Sequence, residues 1–195
     1  MKNGMFIMWA SFYLAVFTIA AFAQGETYTG TIIATGSGRN VGTRTANFTL
    51  TLKGQTSTED AERYLNTLKT NGQSALLEGF RNEDLGTLSV GSQLGRTINA
   101  VRERNVGGKR KIYVLFERWT EFAEVRGGYR SLDYPFGYVE LTIDPHTGEG
   151  EGKYFAAARV RMKKDKESNV YHPEIEDYAT FPAKLVQVKS EGKRM

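Results

Sequence analysis

The stretch GYVELTIDPHTGEGEGKYFAAARVRMK, residues Gly137–Lys163, decides the fold class. Val139, Leu141 and Ile143 alternate with Glu140 and Thr142, and beyond a turn-forming run the rhythm resumes with Tyr154, Ala156, Ala158, Val160 and Met162. A period of two belongs to a strand with one buried face. Asp144-Pro145 opens a turn, and Gly148, Gly150 and Gly152 tolerate its backbone angles, so the stretch predicts an antiparallel hairpin.

The same texture runs outward in both directions. TYTGTIIATG (27–36) alternates Tyr28, Gly30, Ile32 and Ala34 against Thr29, Thr31 and Ile33, and TRTANFTLTLKG (43–54) alternates Ala46, Phe48, Leu50 and Leu52 against Asn47, Thr49, Thr51 and Lys53, which predicts a second hairpin. LGTLSVG (85–91), GRTINAVRERN (95–105), KRKIYVLFERW (109–119) and ATFPAKLVQVK (179–189) read as further strands, the middle two joined by a turn over Asn105–Gly108. Pro182 marks the last as an edge or a bulge.

One segment breaks the pattern. In TSTEDAERYLNTLKTNG (56–72), Ser57 or Thr58 can cap, Glu59 and Asp60 suit the positive end of a first turn, and Ala61, Tyr64, Leu65 and Leu68 recur at helical spacing until Gly72. QSALLEGFRNED (73–84) adds a shorter helical turn with Leu76, Leu77 and Phe80 inward. The fold class is therefore β-rich, α+β, with about eight strands and one helical insertion at about residues 57–83, as a single antiparallel barrel or a two-layer sandwich. Gly30, Ala34, Ala46, Ala156 and Ala158 interrupt the inward rows as a tightly curved sheet requires, which favours the barrel.

Residues 1–23 read as a cleaved export signal: Lys2, an apolar run from Met5 to Ala20, and a small-residue site at Ala21-Phe22-Ala23. The run is shorter than the ~20 residues a spanning helix needs, and no later stretch is apolar for as long. The expectation is a single β-rich domain over 24–195, with no transmembrane segment once the signal is removed. Cysteine is absent, which excludes disulfides, thiolate metal sites and a cysteine nucleophile. An exported chain that relies on its core alone points to a bacterial envelope or secreted protein, periplasmic or extracellular. Removing residues 1–23 takes away Lys2 and no acid, so the formal charge falls from +4 to +3, too mild to imply nucleic acid.

Motifs for chemistry are sparse. His146 and His172 read as exposed loop histidines, short of the three convergent ligands of catalytic zinc. Asp144, Glu149 and Glu151 lack the spacing of a calcium loop and are explained by the hairpin turn. Glu117, Glu121 and Glu124 would form a carboxylate stripe on a helix, but the preceding KIYVLF favours a strand running out into an irregular crossing. Arg96, Arg102, Arg104, Lys109, Arg110 and Lys111 gather in one region, and Arg159, Arg161, Lys163, Lys164 and Lys166 in another; the second set reads as a solvated face paired with acids. No cofactor or metal is expected.

The densest feature is aromatic. Seven aromatics fall within the 23 residues Phe116–Tyr138, against 12% for the whole chain, interleaved with Arg126, Arg130 and Asp133. In a core these polar groups satisfy tyrosine hydroxyls; in a site the rings stack a ligand and the polar groups orient it. The candidate binding residues are Trp119, Arg126, Tyr129, Arg130, Asp133 and Tyr134. They predict a non-enzymatic ligand-binding or protein-interaction module, with an apolar small molecule, a glycan or an envelope protein as partner. Alternatives are a metal-independent hydrolase or isomerase using Asp133 or Glu121 as acid/base in a barrel mouth, and a structural envelope protein without ligand.

Overall fold

The computed structural model describes residues 25–35, 42–119, 133–164 and 171–191; the signal segment over 1–23 lies outside them. The chain forms β1 (Glu26–Thr35), β2 (Thr43–Leu52), α1 (Thr58–Phe80), β3 (Gly86–Val90), β4 (Arg96–Thr97), β5 (Ala100–Val106), β6 (Lys109–Glu117), β7 (Phe136–Ile143), β8 (Glu149–Lys164), β9 (Tyr171–Tyr178) and β10 (Ala183–Glu191). All ladders are antiparallel, in the order β4-β3-β2-β1-β10-β8-β7-β6-β5, with β9 on β8.

Both hairpins form as the alternation predicts: β1 pairs β2 from Glu26↔Leu52 to Thr35↔Thr43, and β7 pairs β8 from Ile143↔Gly150 onward. The turn between β5 and β6 has Gly107 and Gly108 at φ +57° and +76°, the double left-handed geometry of a two-residue hairpin that only glycine adopts freely. Ser57 caps α1, its hydroxyl accepting from the Asp60 amide at 3.0 Å. Gly72, at φ +82°, splits the helix where the sequence places a stop, and a second helical piece carries Leu76, Leu77 and Phe80 into the core.

Several expectations are corrected. The barrel is not supported: β4 and β5, the two ends of the order, form no ladder with each other, so the sheet is not closed. They are instead one stretch of chain read as a single strand. Ile98 still pairs with the β3 side, its amide donating to Gly86 O at 2.9 Å, whereas the next amide, Asn99 N–H, donates to Leu115 O on β6 at 3.1 Å. Among the described residues the strand count rises to ten because this stretch divides and because β9 appears over Tyr171–Tyr178. Pro182 precedes β10, which is a central strand between β1 and β8 and bulges between Leu185 and Val188.

The rhythm of β8 also changes phase. Gly150, Gly152 and Tyr154 face one side, but a register shift opposite Phe136–Tyr138 turns the strand over, so Phe155, Ala157, Ala158 and Val160 are buried and Ala156 is exposed. The first half of β8 pairs β10, and the second half carries β9.

Two cores result. Side chains from both halves of the sheet, among them Tyr28, Phe48, Leu88, Ile98, Val114, Leu141 and Leu185, share the inner one. The outer one lies where α1 covers the opposite face of β5–β8, with Tyr64, Leu77, Phe80, Phe136, Tyr138 and Phe155. Gln73, just past the kink, contributes a two-point contact: its side-chain amide donates to Val160 O at 2.7 Å and accepts from Val160 N at 3.2 Å.

The inner face is shaped by pairs of glycine and a large side chain. Gly30 sits opposite Phe48, Gly137 opposite Phe116, Gly152 opposite Leu141 and Gly150 opposite Ile143. A Cβ on Gly30 would stand 2.8 Å from Phe48 Cε1 and 2.9 Å from Val186 O, and one on Gly137 would clash with Cε2 and Cζ of the Phe116 ring. The ring occupies the space its glycine vacates.

Two outcomes follow. Gly137→Ala is expected to lower stability by about 1–3 kcal/mol through overpacking, read by urea denaturation, with much of the loss recovered in the Gly137→Ala, Phe116→Leu pair; a single variant as stable as the parent would refute the steric account. Asn99→Leu, which removes the buried side-chain amide and leaves the Glu117 N–H and the Arg81 and Glu83 carbonyls without their partner, is expected to cost roughly 2–3 kcal/mol, a value near zero being the contrary result.

Candidate functional site

The aromatic segment begins where β6 ends. The Arg118 amide donates to Pro135 O at 3.1 Å, extending the β6–β7 ladder by one step, so Trp119 and Tyr134 stand at the two sides of the segment between them. Trp119 meets Phe116 edge-on, with ring centroids 5.6 Å apart, and the Arg96 guanidinium stands over its ring at 5.9 Å. Arg96 is itself fixed, donating to Glu117 O at 2.9 Å and Arg118 O at 2.6 Å. Trp119 thus packs against the inner core. Tyr134 turns elsewhere: its hydroxyl donates to the Asp177 carboxylate on β9 at 2.9 Å, and that hydrogen bond raises its pKa.

Of the remaining sequence candidates, Asp133 is exposed beside Tyr134, and Arg126, Tyr129 and Arg130 lie outside the described residues. Phe116 belongs to the inner core, and Phe136 and Tyr138 to the outer one, where the Tyr138 hydroxyl donates to Pro173 O at 3.1 Å. Among the described residues the cluster therefore splits into the buried Phe116, Phe136 and Tyr138 and the half-buried Trp119 and Tyr134, with Asp133 exposed. Glu117 belongs to β6, so the start of the proposed carboxylate stripe is strand; Glu121 and Glu124 lie outside the described residues.

Two large apolar side chains that sequence reading passed over stand at this same end. Leu94, in the β3–β4 turn two residues before Arg96, is 90% exposed, and Phe181, two residues above the start of β10, is 70% exposed. The pairing Lys184↔Ile33 and Ala183↔Tyr154 sets the Phe181 turn at the end where β1 and β6 finish and β7 begins. The available signal was a lone large apolar residue inside a glycine- or proline-marked turn, GSQLGR and ATFPAK.

The opposite end is sealed by charge. Arg110 donates to Glu103 at 2.6 and 2.8 Å and to Glu26 at 2.9 and 3.3 Å, reaching across from β6 to β5 and β1. Tyr28 donates to Glu26 at 2.6 Å and Gln55 to Glu103 at 2.8 Å. Burial, reinforced by Glu26, pushes the Tyr28 phenol well up; the hydrogen bonds to Glu103, opposed by burial and aided by Glu26, raise the Arg110 pKa.

The basic row of β8 is paired as the solvated-face reading expects. Arg161 and Lys163 share Glu174 at 2.7 and 2.9 Å, and Arg159 approaches Glu176 at 3.5 Å. Asp144 caps the β7–β8 turn, accepting from the His146 amide at 2.8 Å, and these backbone contacts lower its pKa. One histidine reading is corrected: His172 is not in an exposed loop but in β9, 4% exposed, its ring stacked on Tyr113 at 4.9 Å. Among the described residues no three His, Asp or Glu side chains converge on a common point.

Arg110→Met, which removes the guanidinium that Glu26 and Glu103 share, is expected to cost about 3 kcal/mol at neutral pH. The two carboxylates would then resist ionisation in the folded state, so their pKa values rise and the variant's deficit shrinks as pH falls through the carboxylate range. Denaturation at neutral and acidic pH reads both effects, and a pH-independent deficit would contradict the electrostatic cause.

Comparison with protein-family models, curated proteins and solved structures finds no match.

Proposed function

We propose that the chain is an exported, non-enzymatic interaction module, with a two-layer, sandwich-like β scaffold that presents the end around Trp119 and Tyr134 to another envelope protein. The observation that carries this reading is the pair Leu94 and Phe181, 90% and 70% exposed on turns at that end. Two large apolar side chains held out at the same end, one on the β3–β4 turn and one on the β9–β10 connection, lose water contact only when a second surface covers them, and such protrusions suit a protein partner better than an enclosed small molecule. The charge network around Arg110 makes the other end a poor competitor, because its polar groups already satisfy one another.

The hydrolase or isomerase alternative needs Asp133 or Glu121 inside a pocket, and Asp133 is exposed. Export rests on the signal-like residues 1–23 alone.

Site-specific photocrosslinking in the bacterial envelope tests the reading. A crosslinker at Leu94 or Phe181 is expected to trap one defined partner, identified by mass spectrometry, while one at the exposed Glu59 of α1 traps none. With that partner purified, Leu94→Asp and Phe181→Asp should each weaken binding at least tenfold, about 1.4 kcal/mol, with unchanged melting temperature. Equal labelling from all three positions, or full affinity in both variants, would overturn it.

A further inference from the structure

Two cations of the sheet oppose each other. Lys153 on β8 and Lys184 on β10 are direct partners in the antiparallel register, and both are exposed. Like charges at directly opposed positions repel and lower stability. Among the described residues no carboxylate lies within ion-pair distance of either ammonium group. Glu140, opposite Lys153 on β7, gives its carboxylate to Lys111 at 3.1 Å. By contrast, Arg110 is matched by Glu26 and Glu103, Arg161 and Lys163 by Glu174, and Arg159 by Glu176. Along β8 the exposed acids Glu151 and Glu149 come only further from the Phe181 end. The free protein thus carries a local repulsion that a surface of opposite sign would relieve.

The pair stands close to the end that carries Phe181. Lys184 follows Phe181 by three residues, and it also pairs Ile33 on β1, which in turn pairs Thr45 on β2. One residue nearer that end, Arg44 is exposed on β2 opposite Ala34, and among the described residues it too has no carboxylate partner. Ile33 and Val186, both half-buried, share the face of Lys184. An exposed ring, half-covered aliphatic side chains and unmatched cations thus lie together. Protein interfaces have this composition, an apolar centre with a charged rim, and the sign of the rim selects the partner.

We propose that the protein partner covering Phe181 meets this face with an acidic surface, its carboxylates placed against Lys153, Lys184 and Arg44. The inference rests on the reading that this end is covered by an envelope protein, and it adds the chemistry of that protein's contact surface. The test takes the partner trapped from position 181, purified, and measures its affinity for the parent and for the Lys153→Gln, Lys184→Gln pair. The pair is expected to bind about tenfold more weakly, with a shallower dependence of affinity on sodium chloride. Its melting temperature should stay the same or rise, because neutralisation removes the opposed like charges; a merely structural role for the lysines would lower it. Unchanged affinity and salt dependence in the pair would overturn the acidic contact and leave the reading of the end standing. Failure to trap any partner from position 181 would overturn both. Sedimentation of the parent with phosphatidylglycerol vesicles but not phosphatidylcholine vesicles, lost in the pair, would assign the cations to lipid headgroups and overturn the protein partner.

Discussion

The side-chain amide of Asn99 is the contact on which this architecture turns. Here the chain leaves the edge of β3 and joins the edge of β6 within one residue, a step that interrupts the backbone ladder. Asn99 is 3% exposed, and its Oδ1 accepts from the Glu117 amide at 3.1 Å, supplying the acceptor that the broken ladder would otherwise deny. Its Nδ2 donates to Arg81 O at 3.2 Å and Glu83 O at 3.0 Å, which fixes the exit of α1 against the same point. One buried amide thus ties together both ends of the strand order and the helix. Buried polar groups are tolerated when fully satisfied, and such a site specifies one arrangement because no apolar residue can replace it.

With the ends held, the sheet must coil strongly enough for β1, β2 and β3 to share a core with β6 and β7. The glycines of the inner face make that possible. Gly30, Gly137, Gly150 and Gly152 let the ring or branched chain of the opposite strand lie flat over the backbone, so the inner surface is filled from one strand rather than two. The small residues read as inward did not all face inward, since Ala156 is exposed and Ala158 lies in the outer core, and closure depends on ladder bonds between β4 and β5 that do not form.

How much could be read in advance depended on whether a residue's role was local. The α1 cap at Ser57, the break at Gly72 and the β1–β2 hairpin follow from neighbours a few positions away, and all were legible. β9 was not, because YHPEIEDY alternates acids with a proline and carries its charges outward to meet Arg159, Arg161 and Lys163 on β8. Its burial of His172 and Pro173 against Tyr113 and Tyr138 is a tertiary fact with no local signature. The phase change in β8 was hidden for the same reason: three consecutive alanines, Ala156–Ala158, read equally well in either register. At the candidate site, composition located the aromatic segment but could not divide it, since Phe116, Phe136 and Tyr138 carry the same chemistry whether they face a core or a ligand. Leu94 and Phe181 were overlooked because a single apolar residue in a turn is ordinary until its neighbours are known.

The Gln73 contact has a consequence beyond the packing of α1. β7 begins at Phe136, opposite Ala158, so among the described residues no strand lies along that flank of β8 past that point. An uncovered flank of extended backbone is a template on which another polypeptide can polymerise. The amide of Gln73 has the same donor and acceptor as a peptide bond, and it takes both the N–H and the C=O of Val160. A helix residue thereby counterfeits one link of a strand and withdraws that link from recruitment by a second chain. The contact thus occupies one link of an uncovered strand flank with a side chain of the chain's own.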